Sequence, residues 1–159
     1  MTDFNNVLKC KQKIVDAIAN SQKIMQLIFD DPQISMQSES VKNVLGTHLF
    51  DYGITGNCVN DGTCVFVETA FAENVSASIQ TVGFNIQAVS KFGFMYPDKT
   101  RFPDSCANRN DRIILCIAEL LGSENFDEVG TFNISKIHSV KTYDGFSALQ
   151  IKCDVSLFV

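Results

Sequence analysis

Cysteine and histidine are the residue types in this chain best suited to nucleophilic, acid–base or metal chemistry. The chain holds six cysteines and two histidines: Cys10, Cys58, Cys64, Cys106, Cys116, Cys153, His48 and His138. A thiolate beside an imidazole can act as a nucleophile with its base. A small cytoplasmic Cys/His-dependent enzyme is therefore one alternative function, although the spacing favours no particular pair.

The spacing of these residues disfavours a metal site. Zinc sites usually use ligand pairs separated by about two to four residues. The closest cysteines, Cys58 and Cys64, have five residues between them, and the histidines lie far apart in the sequence. In a reducing cytoplasm the thiols are expected to stay free and to fill apolar space. We therefore expect no metal and no cofactor.

Familiar catalytic motifs are missing from the sequence. It contains neither a Walker-type phosphate loop nor a glycine-rich dinucleotide-binding turn. The stretch Gly145–Leu149 matches a nucleophile elbow only in part, because it ends in leucine and is predicted to lie in a hairpin. These observations predict a protein that is not an enzyme.

Charge and hydropathy narrow the class of partner. The 159 residues include 13 lysines and arginines against 18 acidic residues, which gives a formal charge of −5. Nucleic-acid binders displace counterions with clustered cations, so this balance disfavours a general nucleic-acid binder. No apolar run approaches the ~18–20 residues that cross a bilayer, and residues 1–13 lack a secretory pattern. We expect a protein of the cytoplasm without membrane contact.

The elements that must position these residues follow from hydrophobic periodicity. The predicted order is a helix over 1–30, a long loop or arm over 33–63, strands over 64–71 and 75–94, a helix from 105 or 108 to 121, and strands over 131–142 and 146–157. This order is typical of an α+β fold, an antiparallel β-sheet with long strands and a C-terminal hairpin. The N-terminal and central helices are expected to pack on one face, and residues 1–159 to form one domain.

Two local signals set the expected strand register. Apolar residues move from odd positions, such as Ile79, to even positions, such as Val82. Because side chains alternate between the two faces of a strand, this change predicts a bulge near residues 81–83. Asp144–Gly145 is a strong two-residue turn signal and predicts the hairpin between the last two strands.

The loop Met95–Pro103 is the first candidate contact surface. It joins the long strand to the second helix, and we expect it to expose Tyr96, Arg101 and Phe102. Exposed aromatic side chains beside arginine are frequent anchors of protein interfaces.

A second candidate contact surface lies in the predicted arm, at His48, Phe50 and Tyr52. Long irregular segments inside a compact domain are often functional or become ordered against a partner. Three phenylalanines of the predicted long strand, Phe84, Phe92 and Phe94, lack an interleaved basic patch, which favours core or interface packing over base stacking.

Several stretches in the last third of the chain carry a resemblance to a known family. They are Asn110–Ile114, Leu120–Ser123, Val129–Ile137 and Tyr143–Phe146. With these stretches and the order of its elements, the chain resembles small neck and tail-completion proteins of tailed phages of Gram-positive bacteria, and it is similar to tail terminators. The resemblance covers residues 1–30 and 64–159.

This resemblance implies a structural virion protein of the tail and neck, made in the host cytoplasm. It implies a homo-oligomer, a hexameric ring that caps the tail tube at its head-proximal end and joins it to the head. The implied partners are the tail tube protein and a neck or connector protein. DNA would pass through the lumen without specific binding, and an acidic lumen would repel it. Another neck, tube-end or baseplate component is the alternative within this class.

Overall fold

The structure is a computed structural model and describes residues 4–54, 62–102, 107–123, 126 and 129–158. The helices are α1 (Phe4–Ala19), α2 (Gln22–Ile28), α3 (Glu39–Lys42) and α4 (Arg109–Leu121), with a 3₁₀ turn at Phe92–Phe94. The strands are β1 (Leu49–Phe50), β2 (Thr63–Asn74), β3 (Ile79–Lys91), β4 (Asn133–Val140) and β5 (Phe146–Phe158).

The strands form one 5-stranded sheet in the order β1-β2-β3-β5-β4. Every neighbouring pair is antiparallel except β1 and β2, which run parallel through Leu49 and Phe50. Strand β5 lies between β3 and β4 and pairs with β3 along its whole length. The predicted α+β class is confirmed, with a mostly antiparallel sheet, but the short parallel strand was not predicted.

The N-terminal helical region breaks at Ser21, so the prediction of one helix over residues 1–30 is wrong. Ser21 has extended backbone angles, and its hydroxyl accepts a hydrogen bond from the backbone N–H of Ile24 at 3.4 Å. A serine in this position satisfies an orphan N–H at the start of a new helix. Helices α1 and α2 therefore point their apolar stripes at the core as two separate segments.

The two faces of the sheet differ. One face, here the helix face, packs against α1, α2 and α4 through alternate strand residues that include Val65, Val67, Val82, Phe84, Ile86, Ile151, Cys153 and Val155. The other face, here the open face, carries a smaller apolar cluster of Phe50, Cys64, Phe66, Val89 and Ala148. Within the described part of the chain, no helix residue belongs to that second cluster. The helices thus lie on one face, as predicted.

Residues 33–63, the predicted long loop or arm, are described up to residue 54. This part contains α3 and β1, and elsewhere it is irregular. Its apolar side chains Ile34, Val41, Val44 and Leu49 are buried in the core of the same chain. Since burying each such side chain is worth about 1.5–3 kcal/mol, residues 33–54 are held on the domain. Residues 55–61 lie outside the described part.

The predicted bulge lies on a different strand. Strand β3 pairs with β5 without interruption, and the irregularity falls in β2 between Thr69 and Phe71, opposite Gly83. The Phe71 ring covers Gly83, where a Cβ atom would overlap it. The predicted hairpin at Asp144–Gly145 is confirmed, with Gly145 at a φ of +85°.

Candidate protein interaction surfaces

A buried arginine fixes the segment between β3 and α4. Arg109, at 1% exposure, begins α4 and donates through Nε to the carbonyl oxygen of Phe94 at 2.6 Å. Its Nη1 donates to the carbonyl oxygen of Leu27, and its Nη2 to Oδ1 of Asp30 at 2.9 Å. Asp30 also accepts from Arg101 at 3.2 Å. One guanidinium therefore ties together the end of α2, the segment after β3 and the start of α4.

A second buried polar group of residues holds α4 to the end of the sheet. The hydroxyl oxygens of Thr63 and Ser90 lie 2.9 Å apart, and the Ser90 hydroxyl donates to Oδ1 of Asn110 at 2.6 Å. The Asn110 amide donates to the carbonyl oxygen of Ser147 at 2.9 Å. None of the other three groups can take a proton from Ser90 near neutral pH, so within this cluster the hydroxyl is not an activated nucleophile. The arrangement is structural.

Residues 92–102, here the aromatic loop, expose three rings. Phe92 is 62% exposed, Phe94 40% and Tyr96 79%. The sequence placed Phe92 and Phe94 on the long strand, but β3 ends at Lys91 and a 3₁₀ turn follows, which brings both rings out of the sheet. Contiguous exposed apolar groups mark interaction sites, so this loop is a candidate contact surface.

Three of the predicted contact residues lie in this loop, and they differ in exposure. Tyr96 is exposed, as predicted, and Arg101 is partly exposed while it pairs with Asp30. The prediction that Phe102 is exposed is wrong, because Phe102 is only 8% exposed and belongs to the main core. A turn in which its N–H bonds the carbonyl oxygen of Asp98 at 2.8 Å directs the ring inward. Pro103 lies outside the described residues.

The second predicted surface, at His48, Phe50 and Tyr52, is largely covered. His48 is half-buried, its ring packs 4.8 Å from that of Phe29, and burial lowers its pKa. Phe50 is buried and stacks on Phe66 at 5.0 Å, which corrects the expectation that it is available to a partner. Tyr52 is 42% exposed and is the member of this group that a partner could reach.

Rows of paired residues cross the open face from β2 to β4. The first row is apolar and holds Cys64, Val89, Ala148 and Val140. The second row is Phe66, Gln87, Gln150 and His138. The third, here the charged row, is Glu68, Asn85, Lys152 and Lys136. The open face thus changes from apolar to charged along the strands.

The second row contains buried amides next to a histidine. Gln87 donates to Gln150 at 2.7 Å, and both side chains are nearly inaccessible. Oε1 of Gln87 and Nδ1 of His138 have no hydrogen-bond partner among the described residues. Burial of the ring, and after it the charges of Lys136 and Lys152, lowers the pKa of His138. The imidazole of His138 is therefore neutral at pH 7.

Two lysines face each other at the outer end of the charged row. Lys136 of β4 lies directly opposite Lys152 of β5, an arrangement of like charges that destabilises a sheet. Neither lysine forms an ion pair within the described part of the chain. The carboxylate of the same row, Glu68, is two strands from Lys152 and three from Lys136. It accepts a hydrogen bond from Asn85 at 2.8 Å and lies against Gly53.

An apolar groove runs between α4 and β4 on the helix face. It encloses about 380 Å³ and is lined mainly by Ile114, Leu115, Ala118, Ile137 and Leu149. Leu115 and Ile137 are exposed to solvent there. Strand β4 is the last strand of the sheet on this side, so its outer edge pairs with no described strand. The groove and the unpaired edge were not foreseen from the sequence.

The described cysteines are poorly suited to nucleophilic chemistry. Cys10, Cys64 and Cys153 are buried, and burial raises the pKa of Cys10 and of Cys153 to about 12. Cys116 lines a cleft of about 450 Å³ between α2 and α4, where burial, and after it Glu119, raises the pKa of the thiol. A nucleophilic thiol needs the opposite shift. Cys58 and Cys106 lie outside the described residues.

In the described ranges, no three or more cysteine, histidine or acidic side chains are grouped so that they could hold a metal ion. None of the helices in those ranges is both long and apolar enough to cross a membrane.

No protein-family model matches the chain, and no characterised protein matches it significantly.

Proposed function

We propose that this chain is a structural virion protein, a tail terminator that forms a ring at the head-proximal end of a phage tail. The ring caps the tail tube and joins it to the head. The sequence motifs from Asn110 to Phe146 support the class, and the aromatic loop is the observation on the folded domain that supports it best.

The aromatic loop has the properties of a permanent subunit contact. Its rings are exposed, while its backbone is held by Arg109 through the carbonyl oxygen of Phe94. A contact surface that is already ordered loses little conformational entropy when it binds. Buried aromatic anchors then supply most of the binding energy. Such a surface suits a stable contact better than a transient one.

A ring also requires two different surfaces on each subunit. In a closed heterologous assembly, one patch of each copy contacts a different patch of the next copy. The domain offers unlike patches: the aromatic loop, and the edge of β4 with its apolar groove. A hexamer is the stoichiometry that the resemblance implies, with the tail tube and a neck or connector protein on the two sides of the ring.

The test is to locate the chain in assembled particles. Particles would be made with a tagged copy of the chain and imaged by electron microscopy, while the purified chain is measured by light scattering. We expect a label at the head–tail junction, and a ring either in solution or on isolated tail tubes. A label at the tail tip would favour the baseplate alternative. A monomer in which one cysteine reacts rapidly with iodoacetamide would favour the Cys/His-dependent enzyme.

A further inference from the structure

The lysine pair at the β4 edge has no ion-pair partner in the described part of the chain, and Asp154, two residues from Lys152 along β5, accepts a hydrogen bond from Asn133 instead. Lys136 and Lys152 are exposed, lie side by side on the open face and form no ion pair with described residues. The chain as a whole is acidic, with a formal charge of −5, so a general excess of cations does not account for the pair. A nearby carboxylate from outside this subunit would relieve the repulsion.

The opposite edge of the same sheet carries such a carboxylate. Strand β1 covers the outer edge of β2 only at Val65 and Phe66, so Thr69–Asn74 pair with no described strand on that side. Glu73 lies in this stretch opposite Thr81 and is exposed on the open face. Its carboxylate has no partner among the described residues. One edge is thus basic and the other acidic, on the same face.

The strand directions match as well. Strand β4 runs opposite to β5, β5 opposite to β3, and β3 opposite to β2, so β4 and β2 run in opposite directions. If β4 of one copy lies beside β2 of a second copy with their open faces aligned, the two strands are antiparallel. Antiparallel neighbours can exchange regular backbone hydrogen bonds. The helices of both copies then lie on the same side of one continuous sheet.

We infer that the β4 edge of each subunit binds the β2 edge of the next copy, with Lys136 facing Glu73 across the contact. This inference rests on the proposed ring and names a contact between its subunits in addition to that of the aromatic loop. The contact is heterologous, because two different edges meet, and such a contact builds a ring when the rotation between successive copies closes. Residues of the next copy next to its β2 edge would also cover Ile137 at the mouth of the apolar groove.

Two other interpretations of the β4 edge are less consistent with its residues. Pairing of β4 with β4 of a second copy across a twofold axis would bring lysines close to lysines. A solitary lysine with a bulge can also protect an edge from pairing, and β4 has an irregularity between Ile134 and Lys136. A lysine that protects the edge does not explain the exposed apolar groove beside it. If Lys136 had this protective role, its removal should increase self-association, whereas the proposed contact predicts a decrease.

The test is reversal of charge on each edge. We expect Lys136→Glu and Glu73→Lys, each alone, to raise the protein concentration at half-assembly by at least about tenfold, since like charges would meet at every contact. An equimolar mixture of the two variants should recover assembly, because a hexameric ring in which the two variants alternate pairs opposite charges at every contact. The double variant Lys136→Glu/Glu73→Lys should do the same. Lys9→Glu, an exposed reversal on α1, is the matched control and should assemble normally.

The possible failures can be told apart. If wild-type chains form no ring in solution or on tail tubes, the proposed function fails, and the inference fails with it. If the wild type forms rings and Lys136→Glu assembles equally well, the function stands and the edge contact is wrong. Increased self-association of Lys136→Ala would identify a protective lysine and would also overturn the inference.

Discussion

Arg109 and Asp30, which are 79 positions apart in the chain, meet with Nη2 of the arginine 2.9 Å from Oδ1 of the aspartate. Arg109 is a cation and almost fully buried, so it depends on this carboxylate. Asp30 occupies the left-handed region at a φ of +52°, which few residues other than asparagine and glycine share at low cost. The ion pair also holds the aromatic loop in place, because Arg109 donates a hydrogen bond to the carbonyl oxygen of Phe94.

Asp30→Asn should destabilise the domain while keeping the backbone conformation, because asparagine also tolerates positive φ. The change removes the negative charge from the hydrogen bonds to Arg109 and Arg101. We expect a loss of about 2–3 kcal/mol in the free energy of unfolding, measured in urea. Asp51→Asn, an exposed acidic position, serves as the control and should change stability by less than about 0.5 kcal/mol.

Tyr96→Ala and Phe102→Ala should separate binding from folding within one loop. Tyr96 is 79% exposed, so its removal should leave the urea midpoint nearly unchanged and weaken ring assembly. Phe102 is in the core, and its truncation should cost about 3–5 kcal/mol of stability. Assembly followed by light scattering, together with urea unfolding, checks both variants. Normal assembly of folded Tyr96→Ala would show that the aromatic loop is not a subunit contact.

The buried thiols should make stability fall at alkaline pH. Burial raises the pKa of Cys10 and of Cys153 from 9.0 to about 12, so the folded protein keeps both thiols protonated after those of the unfolded chain ionise. Their contribution is complete below about pH 9 and is lost as the pH rises from about 9 to 12. Between about pH 8 and pH 10.5 we expect each thiol to account for roughly 1–2 kcal/mol of the decline.

The variant Cys10→Ala/Cys153→Ala isolates this effect, because lysines and tyrosines that titrate in the same range are unchanged. Urea unfolding at the two pH values should give a smaller decline for the variant than for the wild type. Equal declines would mean that these thiols ionise in the folded protein as they do in the unfolded chain. Neither thiol should react with iodoacetamide until urea unfolds the domain.

The pKa of His138 should rise when either neighbouring lysine is neutralised. Burial lowers this pKa first, and Lys136 and Lys152 lower it further. Lys136→Gln and Lys152→Gln should therefore each shift the imidazole titration to higher pH, as followed by NMR, while Lys9→Gln leaves it unchanged. Because His138 is neutral in the folded state, its contribution to stability is lost as the pH falls below about 6.5.

Helix α4 and the final hairpin could be predicted because their signals are local. Asn108 caps the helix by accepting a hydrogen bond from the backbone N–H of Asp111 at 2.9 Å, and the helix ends at Leu121, both as the sequence indicated. Gly122 follows the helix with a φ of −87°, so it does not adopt the left-handed conformation that is common for a glycine at this position. Gly145 does adopt the left-handed conformation that its turn requires.

The candidate surfaces were only partly predictable, because exposure depends on how distant segments pack. The exposure of Tyr96 and Arg101 was predicted, and the contact candidate Tyr52 is also exposed, but Phe50 and Phe102 are buried by contacts that hydropathy does not encode. Phe92 lies outside the sheet because β3 stops one residue earlier, at Lys91, and Gly93 lies in the 3₁₀ turn that follows. The alternating apolar residues on either side of this glycine favour a strand that continues to Phe94.

The two unpaired edges could not be inferred at all, since they depend on strand order. Adjacent hairpin strands suggest β4 beside β5, but nothing in the sequence inserts β5 next to β3. Only the observed register brings Lys136 opposite Lys152 and places Glu73 on the same face. A single lysine in an alternating strand otherwise indicates no more than a solvated side chain.

The position of β5 also constrains the order in which the chain folds. Strand β4 reaches the sheet only through β5, although β5 follows it in sequence. Hairpin contacts between them are local and form early, whereas docking of β5 along β3 closes a much longer loop and is slower. The docking of β5 on β3 therefore completes the core and also makes β4 the outermost strand of the full sheet. Only after that step do Lys136 and Glu73 lie at opposite edges of one sheet, as the proposed contact between subunits requires.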